Sequence, residues 1–323
     1  MYMINRRNTL QKRSNLLKQV RAFFYARSVI EVDTPILSQA ATPDVHLPSL
    51  NTQVQVPGNS EKQTYYLHTS PEYPMKRLLC EGSGDIFYLG KVFRDADLSP
   101  RHQIEFTMLE WYRIGFSMQD LIDEVIELVQ VVMEQTMLIE KLSYQQAFAK
   151  YAQINDVFSA SVEDYQACLT QNNIPQIIGV DKDDKDLWEQ LVLTEVIEPH
   201  LGKDGLSVLY HFPAKDAALA QISVENPQVA ERFELYVKGV ELANGYHELA
   251  DSDLYRQRFE ASLKQREQLG LTQVPLDENL LTTLSNKTLP DCSGVALGID
   301  RLFALQQNFE NIQQGICFGI EEA

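Results

Sequence analysis

Apolar residues recur at helical spacing over residues 9–27, where Leu10, Leu16, Leu17, Val20, Phe23 and Phe24 favour one face. The stretch SMQDLIDEVIELVQVVMEQTM (117–137) predicts a second amphipathic helix. Between them the period shortens. VIEVDTPIL (29–37) reads as a strand interrupted by Pro35, which suits an edge or a bend. A polar loop follows over 38–62, then a strand-like TYYLHTS (64–70). SPEYPMKRLLC opens with Ser and Pro, as helices often do. DIFYLGKVFRD (85–95) and IEFTMLEWYRI (104–114) read as two strands joined by a polar loop. Segment 143–200 reads as several short helices, LSVLYHF (206–212) and RFELYVKGVEL (232–242) as strands. LYRQRFEASLKQREQLG (254–270) predicts a helix stopped by glycine, and SGVALGIDRLFAL (293–305) a strand running into a helix. This irregular order predicts an α+β fold, a mainly antiparallel sheet flanked by helices, over a Rossmann arrangement. Neither GxGxxG nor a P-loop occurs.

GVELANGYHEL (239–249) contains Asn244-Gly245, a strong two-residue hairpin signal. A turn centred there sets Glu241 directly opposite Glu248, an unfavourable pairing of like charges. Phe233, Leu235 and Val237 share the phase of Glu241, so a carboxylate ends an apolar face. Either the hairpin tip projects into water, or a cation sits between the acids. Mg²⁺ commonly takes one or two carboxylates plus substrate phosphates, and an ammonium fits as well.

Along 104–114, Ile104, Phe106, Met108, Glu110 and Tyr112 share one face; Glu105, Thr107, Leu109 and Trp111 share the other. Neither is cleanly polar, so the strand is expected to be buried on both sides. Glu110 is then a carboxylate that needs a cation or donors, in a structural salt bridge or in a site. The connecting loop carries Arg94, Asp97, Arg101 and His102, and arginine there can grip a phosphate. In SGVALGIDRLFAL the small residues permit a close backbone approach or simple packing. Asp300 is a candidate helix cap, with Arg301 near the helix start.

The 323 residues are 44% apolar, enough for a sizeable core. No apolar run reaches the ~18 residues of a membrane span, and MYMINRRNTL lacks a signal core. Cys80, Cys168, Cys292 and Cys317 show no ligand spacing and read as reduced thiols of a cytoplasmic protein. The net charge of −17 disfavours broad nucleic-acid contact. Residues 1–30 nevertheless hold seven basic residues (Arg6, Arg7, Lys12, Arg13, Lys18, Arg21, Arg27) and no acid, leaving −24 on the rest. That segment is either a solvated helix face or a docking surface for an acidic partner.

Taken in order, the pieces resemble the three signature motifs of class II aminoacyl-tRNA synthetases. The first helix and the strand near Pro35 resemble motif 1, KVFRDADLSPRHQIEFTMLEWY resembles motif 2, and GVALGIDRL resembles motif 3. TSPEYPMKRLL, EFTMLEWY and ELANGYHEL are similar to the lysyl branch. Two features depart from it. The catalytic resemblance starts almost at residue 1, leaving no room for an anticodon-reading OB domain. GVALG also carries Ala296 where lysyl enzymes have glycine, which reshapes a tight pocket. Both features resemble the lysyl-tRNA synthetase paralogues that ligate (R)-β-lysine to elongation factor P.

That resemblance implies one catalytic domain over 1–323, with 143–200 a helical insertion. It implies a cytoplasmic homodimer using ATP and Mg²⁺, with (R)-β-lysine and elongation factor P as partners and neither tRNA nor membrane. The alternatives are a truncated lysyl-tRNA synthetase acylating RNA and a non-catalytic regulatory paralogue. By resemblance, Arg94 holds the α-phosphate, Phe106 stacks on adenine, and Arg301 meets the γ-phosphate and the other adenine face. Arg94, Arg301 and Glu241 are the expected catalytic residues. Ala96, Gln103, Leu242 and Gly298 complete the nucleotide site. Glu241 and Glu248 are the expected Mg²⁺ ligands. Ser70, Pro71, Glu72, Glu110, Tyr112, Asn244, Glu248 and Ala296 form the expected amino-acid pocket. Motif 2 departs from the family at Ala96, where a glutamate would accept from adenine; Asp97 or the main chain is the candidate substitute. Gln103 replaces an asparagine.

Overall fold

The computed structural model describes residues 6–175 and 181–323. The first five residues of the basic segment, and residues 176–180 of the expected insertion, lie outside the described residues.

The first helix, α1 (Arg6–Tyr25), buries Leu16, Val20, Phe23 and Phe24 along one stripe. The chain then gives two short strands where one interrupted strand was expected, β1 (Ile30–Glu31) and β2 (Leu37–Ser38). Pro35 cannot donate to a ladder, and the chain changes sheet across it. The expected loop 38–62 contains a further strand, β3 (Asn51–Val54), which pairs with β4 (Gln63–Leu67). Helix α2 is Glu72–Cys80. The hairpin β5 (Ile86–Phe93) and β6 (Glu105–Ile114) leads into α3 (Met118–Met133), held at its start by a Ser117–Asp120 capping box. Strand β7 (Leu138–Ser143), unforeseen in its polar composition, precedes the insertion helices α4 (Tyr144–Ala147), α5 (Val162–Gln171) and α6 (Lys185–Val192). Strands β8 (Gly205–Tyr210), β9 (Arg232–Val237) and β10 (Val240–His247) follow. After α7 (Ser252–Gln268) and α8 (Glu278–Asn286), the chain ends through β11 (Cys292–Gly298) and α9 (Ile299–Gln307).

Eight strands form one sheet in the order β1-β5-β6-β11-β10-β9-β8-β7, and β2-β4-β3 form a small second sheet. Only the outer pairs β1–β5 and β7–β8 of the large sheet are parallel, so the mainly antiparallel expectation holds. One face packs Phe87, Leu109, Trp111, Leu235, Val295 and Leu297 with residues of α1, α3 and α9. The other packs Ile86, Tyr88, Met108 and Tyr112 with residues of α2, α7 and α8. Strand β6 is buried on both sides, as its mixed faces required. The insertion has its own core around Phe148, Tyr165, Trp188 and Ile197.

The β9–β10 turn corrects the sequence reading. It lies at Lys238-Gly239, both with positive φ (51° and 68°), and Asn244-Gly245 runs on inside β10. Gly245 faces the core, where a Cβ would sit 2.5 Å from the Phe233 ring and 2.9 Å from Val295. The glycine therefore answers a lack of space, not a turn. Glu241 pairs with Tyr236 rather than Glu248. A bulge between Glu241 and Ala243 sends both Leu242 and Ala243 into the core with Phe233, Leu235 and Val237. Glu241 thus leaves the apolar phase assigned to it. The cap of α9 is Gly298, not Asp300. Asp300 turns inward, accepting from the Thr107 N–H at 2.7 Å and pairing with Arg13 at 2.6 Å.

Candidate active site

Strand register assembles the site. Tyr88, Glu110, Ala296, Asn244 and Glu234 stand opposite one another across β5, β6, β11, β10 and β9. Two residues along each strand, Ile86, Tyr112, Gly294, Tyr246 and Arg232 form a parallel row. Directly paired side chains share a face, so these rows floor one surface. Gly294 is required there: any Cβ would collide with the Tyr112 ring and reach 2.5 Å from Glu248 Oε1.

At one end of this floor, carboxylates gather around a lysine. Glu110 is buried and accepts from Ser70 Oγ at 2.7 Å and from Tyr112 OH at 2.8 Å. Burial, with the nearby Glu72 charge, pushes its carboxyl up to about 8. Ser70 Oγ also accepts from the Glu72 N–H at 3.0 Å, fixing the start of α2 behind Pro71. Glu248 is buried beside Lys76, 2.6 Å away, and Lys76 also meets Glu72 at 2.5 Å. Burial and Glu72 push Glu248 up, while Lys76 pulls it down. Ala296 lies between Glu110 and Asn244, so its methyl narrows the floor where a glycine would leave it open.

At the other end, arginines gather beside an aromatic ring and a histidine. The Arg94 guanidinium lies over the Phe106 ring, 5.1 Å from its centre. Arg94 Nε is buried without a partner. Arg301 donates to the Glu241 carbonyl at 2.8 Å, to the Arg101 carbonyl at 3.3 Å and to His102 Nε2. Burial, and then the Arg301 charge, lower His102, keeping its ring neutral as an acceptor. The Glu241 carboxylate approaches Arg301 at 3.7 Å and is about one-third exposed. Gln103 is buried with its Nε2 unpartnered, a donor set beside the loop. Gly298 sits where β11 meets α9, against the Arg301 side chain.

Several expectations change. Glu241 and Glu248 stand at opposite ends of β10, roughly 20 Å apart at strand spacing, so one ion cannot bridge them. The cation beside Glu248 is Lys76. The Glu241 charge acts instead on Glu234, which Arg232 (2.6 Å), Tyr236 (2.5 Å) and Asn244 (3.4 Å) hold in place. Leu242 offers a ligand only its main chain, because its side chain is in the core. Ala96 is exposed with φ 55°, its N–H bonded to Asp95 Oδ1 at 2.8 Å. Asp97, the candidate substitute, faces His102 at 3.7 Å. Among the described residues no cluster of three or more His, Cys, Asp or Glu could hold a metal alone. A Mg²⁺ shared with phosphates needs fewer, and Glu241 with Glu234 beyond it fits that donor set.

Sequence reasoning missed Lys76, Tyr255, Arg232 and Glu234. The signal for Lys76 was a lysine four residues after Glu72, between the buried Met75 and Leu79. In the basic segment, Arg13 pairs with Asp300, Arg21 with Glu31, and Arg27 with Glu127. These three charges are satisfied within the protein. Among the described residues no helix is long and apolar enough to cross a membrane.

Residues 3–322 match the family described as tRNA synthetases class II (D, K and N). The chain is 46% identical over 316 residues to the elongation factor P–(R)-β-lysine ligase of Klebsiella pneumoniae, covering 97% of this chain and 95% of that protein. It is 45% identical to the proteins of the same name from Salmonella paratyphi B and Yersinia enterocolitica, with the same coverage.

Proposed function

The chain belongs to the class II tRNA synthetase family of the D, K and N type, and from that premise we propose that it ligates (R)-β-lysine to a lysine of elongation factor P. One observation carries this reading beyond the relatives' names. A group of buried carboxylates, and Arg94 over the Phe106 ring with the Arg301 charge acting on it, lie either side of Ala296 and Asn244. That arrangement suits a diamino acid whose carboxylate must meet a nucleotide phosphate.

The substrate carboxylate attacks the α-phosphorus of ATP, and pyrophosphate leaves. The ε-amine of the acceptor lysine then attacks the acyl-adenylate carbonyl, forming an amide and releasing AMP. Arg94 and Arg301 offset charge on the phosphates, and Phe106 offers a face to adenine. Glu72 faces the substrate ammonium groups, with Glu110 beside it and the charge of the closed-off Glu248 behind, so catalysis rests on placement and charge. Mg²⁺, when bound with ATP, neutralises phosphate charge; Glu241, next to Glu234, would hold it. Asn244 and Ala296 line the path between the two ends.

The same reading makes the protein a cytoplasmic homodimer that does not use tRNA. The net charge of −17 supports the last point. Exposed Tyr25, Ile30 and Leu37, around α1 and the strands after it, support the dimer. Light scattering on the purified protein measures it directly.

Purified protein is mixed with ATP–Mg²⁺ and radiolabelled (R)-β-lysine, with elongation factor P or tRNA as acceptor. Label on the factor supports the proposal. Label on tRNA alone refutes it, and absence of any adenylate points to a non-catalytic protein.

A further inference from the structure

Helix α2 buries Met75, Lys76 and Leu79, so a lysine occupies a position its pattern reserves for an apolar residue. Lys76 has no exposed surface, and no ligand can touch it. Its ammonium meets Glu72 at 2.5 Å and Glu248 at 2.6 Å, and donates to Tyr255 OH at 2.8 Å. The ammonium thus makes hydrogen bonds to Glu72 on α2 and Tyr255 on α7 and an ion pair with Glu248 beyond β10. Buried ion pairs of this kind contribute little stability over a well-packed apolar residue, so packing alone does not account for the lysine. Its partners do: the Glu72 side chain, whose charge reaches Glu110, is about one-fifth exposed, whereas Glu248 is closed off from solvent.

We infer that Lys76 is a positioning residue for the cationic substrate, tying Glu72 to Glu248 so that one fixed carboxylate faces the substrate ammonium. The inference rests on the proposed ligase reading and deepens it. The groups facing Lys76 are Glu72 and Tyr73 of α2, Glu110 and Tyr112 of β6, and Glu248 after β10. Tyr255 of α7, Cys292 of β11 and Cys80 at the end of α2 complete the set. Burial opposes the Lys76 charge, yet Glu248 and Glu72 outweigh it and raise the ammonium well above its usual value. Burial holds the tyrosines and thiols neutral. The charges that can change near neutral pH are therefore those of Glu110 and Glu248, and Lys76 pulls Glu248 toward its ionised form against burial and Glu72.

The test compares Lys76→Met and Lys76→Arg with wild type by ATP–pyrophosphate exchange between pH 6 and 9. Calorimetric titration with (R)-β-lysine supplies a readout independent of turnover. In Lys76→Met, Glu248 loses its counter-charge and takes up a proton, and Glu72 loses its tether. KM for (R)-β-lysine should rise about tenfold at pH 7 while KM for ATP stays within about twofold. The raised KM should fall as pH rises and Glu248 ionises. Lys76→Arg should restore most of the affinity. Equal changes in both KM values, a loss of kcat alone, or the wild-type pH profile in Lys76→Met would overturn the inference. If Lys76→Met does not fold, Tyr255→Phe removes one anchor and should raise the (R)-β-lysine KM severalfold; no change there overturns it too. Wild type that binds (R)-β-lysine without exchange activity would refute the ligase reading, leaving Lys76 to be judged by calorimetry. Wild type that does not bind it refutes both.

Discussion

Glu110→Gln tests the physical account of the pocket most directly. Glu110 is fully buried, and its carboxyl is moved from 4.5 to about 8, by burial first and then by the Glu72 charge. Between those pH values the folded protein keeps a proton that the unfolded chain releases, so this group's contribution to stability falls as pH rises. The slope is about 1.4 kcal/mol per pH unit, or about 3 kcal/mol between pH 5 and pH 7.5. Full burial leaves little room for solvent screening. A glutamine keeps an oxygen for Tyr112 and a hydrogen-bonding group for Ser70, but has no proton to lose. Urea unfolding of both proteins from pH 5 to pH 8 should show Glu110→Gln gaining on wild type steadily as pH rises. Parallel stability curves would mean that Glu110 is ionised in the folded protein, and the description of a neutral acid waiting for an ammonium would fail.

Three further outcomes follow from the same geometry. Ala296→Gly removes the methyl between Glu110 and Asn244. It should improve kcat/KM for α-lysine relative to (R)-β-lysine, by a factor on the order of ten for one methyl group; an unchanged ratio means that Ala296 does not shape the pocket. Gly245→Ala drives a Cβ to 2.5 Å from the Phe233 ring and should cost about 1–3 kcal/mol in denaturant unfolding. Phe233→Leu beside it should recover part of that loss, and a silent Gly245→Ala would contradict the core-facing strand. Arg13→Met strands the buried Asp300 carboxylate and should cost about 3–5 kcal/mol, with Asp300→Asn returning part of it. A change in melting temperature too small to resolve would show that the pair contributes only as surface ion pairs do.

The long amphipathic helices were legible because α1 and α3 bury single stripes. The β5–β6 hairpin was legible because its two mixed faces admit only double-sided burial. Residues named by resemblance, from Ser70 and Glu110 to Ala296, share one surface because strand register carries them there. Local signals failed where tertiary space decided. Asn-Gly usually marks a turn, but Gly245 is glycine because Phe233 and Val295 leave no volume. The actual turn uses Lys238, whose positive φ no propensity rule would favour. The turn at Lys238-Gly239 removed the pairing of Glu241 with Glu248, and the bulge at Leu242 set Glu241 opposite Tyr236, on the face that carries Glu234. Lys76 was overlooked because a buried lysine can be read only once its two carboxylates are placed around it.

The order of the central strands has a consequence for how the chain is made. Strand β11 fills a slot between β6 and β10, separated in sequence from β6 by well over a hundred residues. Until Cys292–Gly298 is synthesised, β6 and β10 each present an open edge of unpaired peptide groups. A nascent or truncated chain would be two half-sheets prone to pair with strangers, and closure would await the slowest, least local contacts. Because Ala296 lies on that late strand, the substrate pocket and the sheet are completed by the same event. A molecule able to bind its amino acid has therefore finished folding its central sheet.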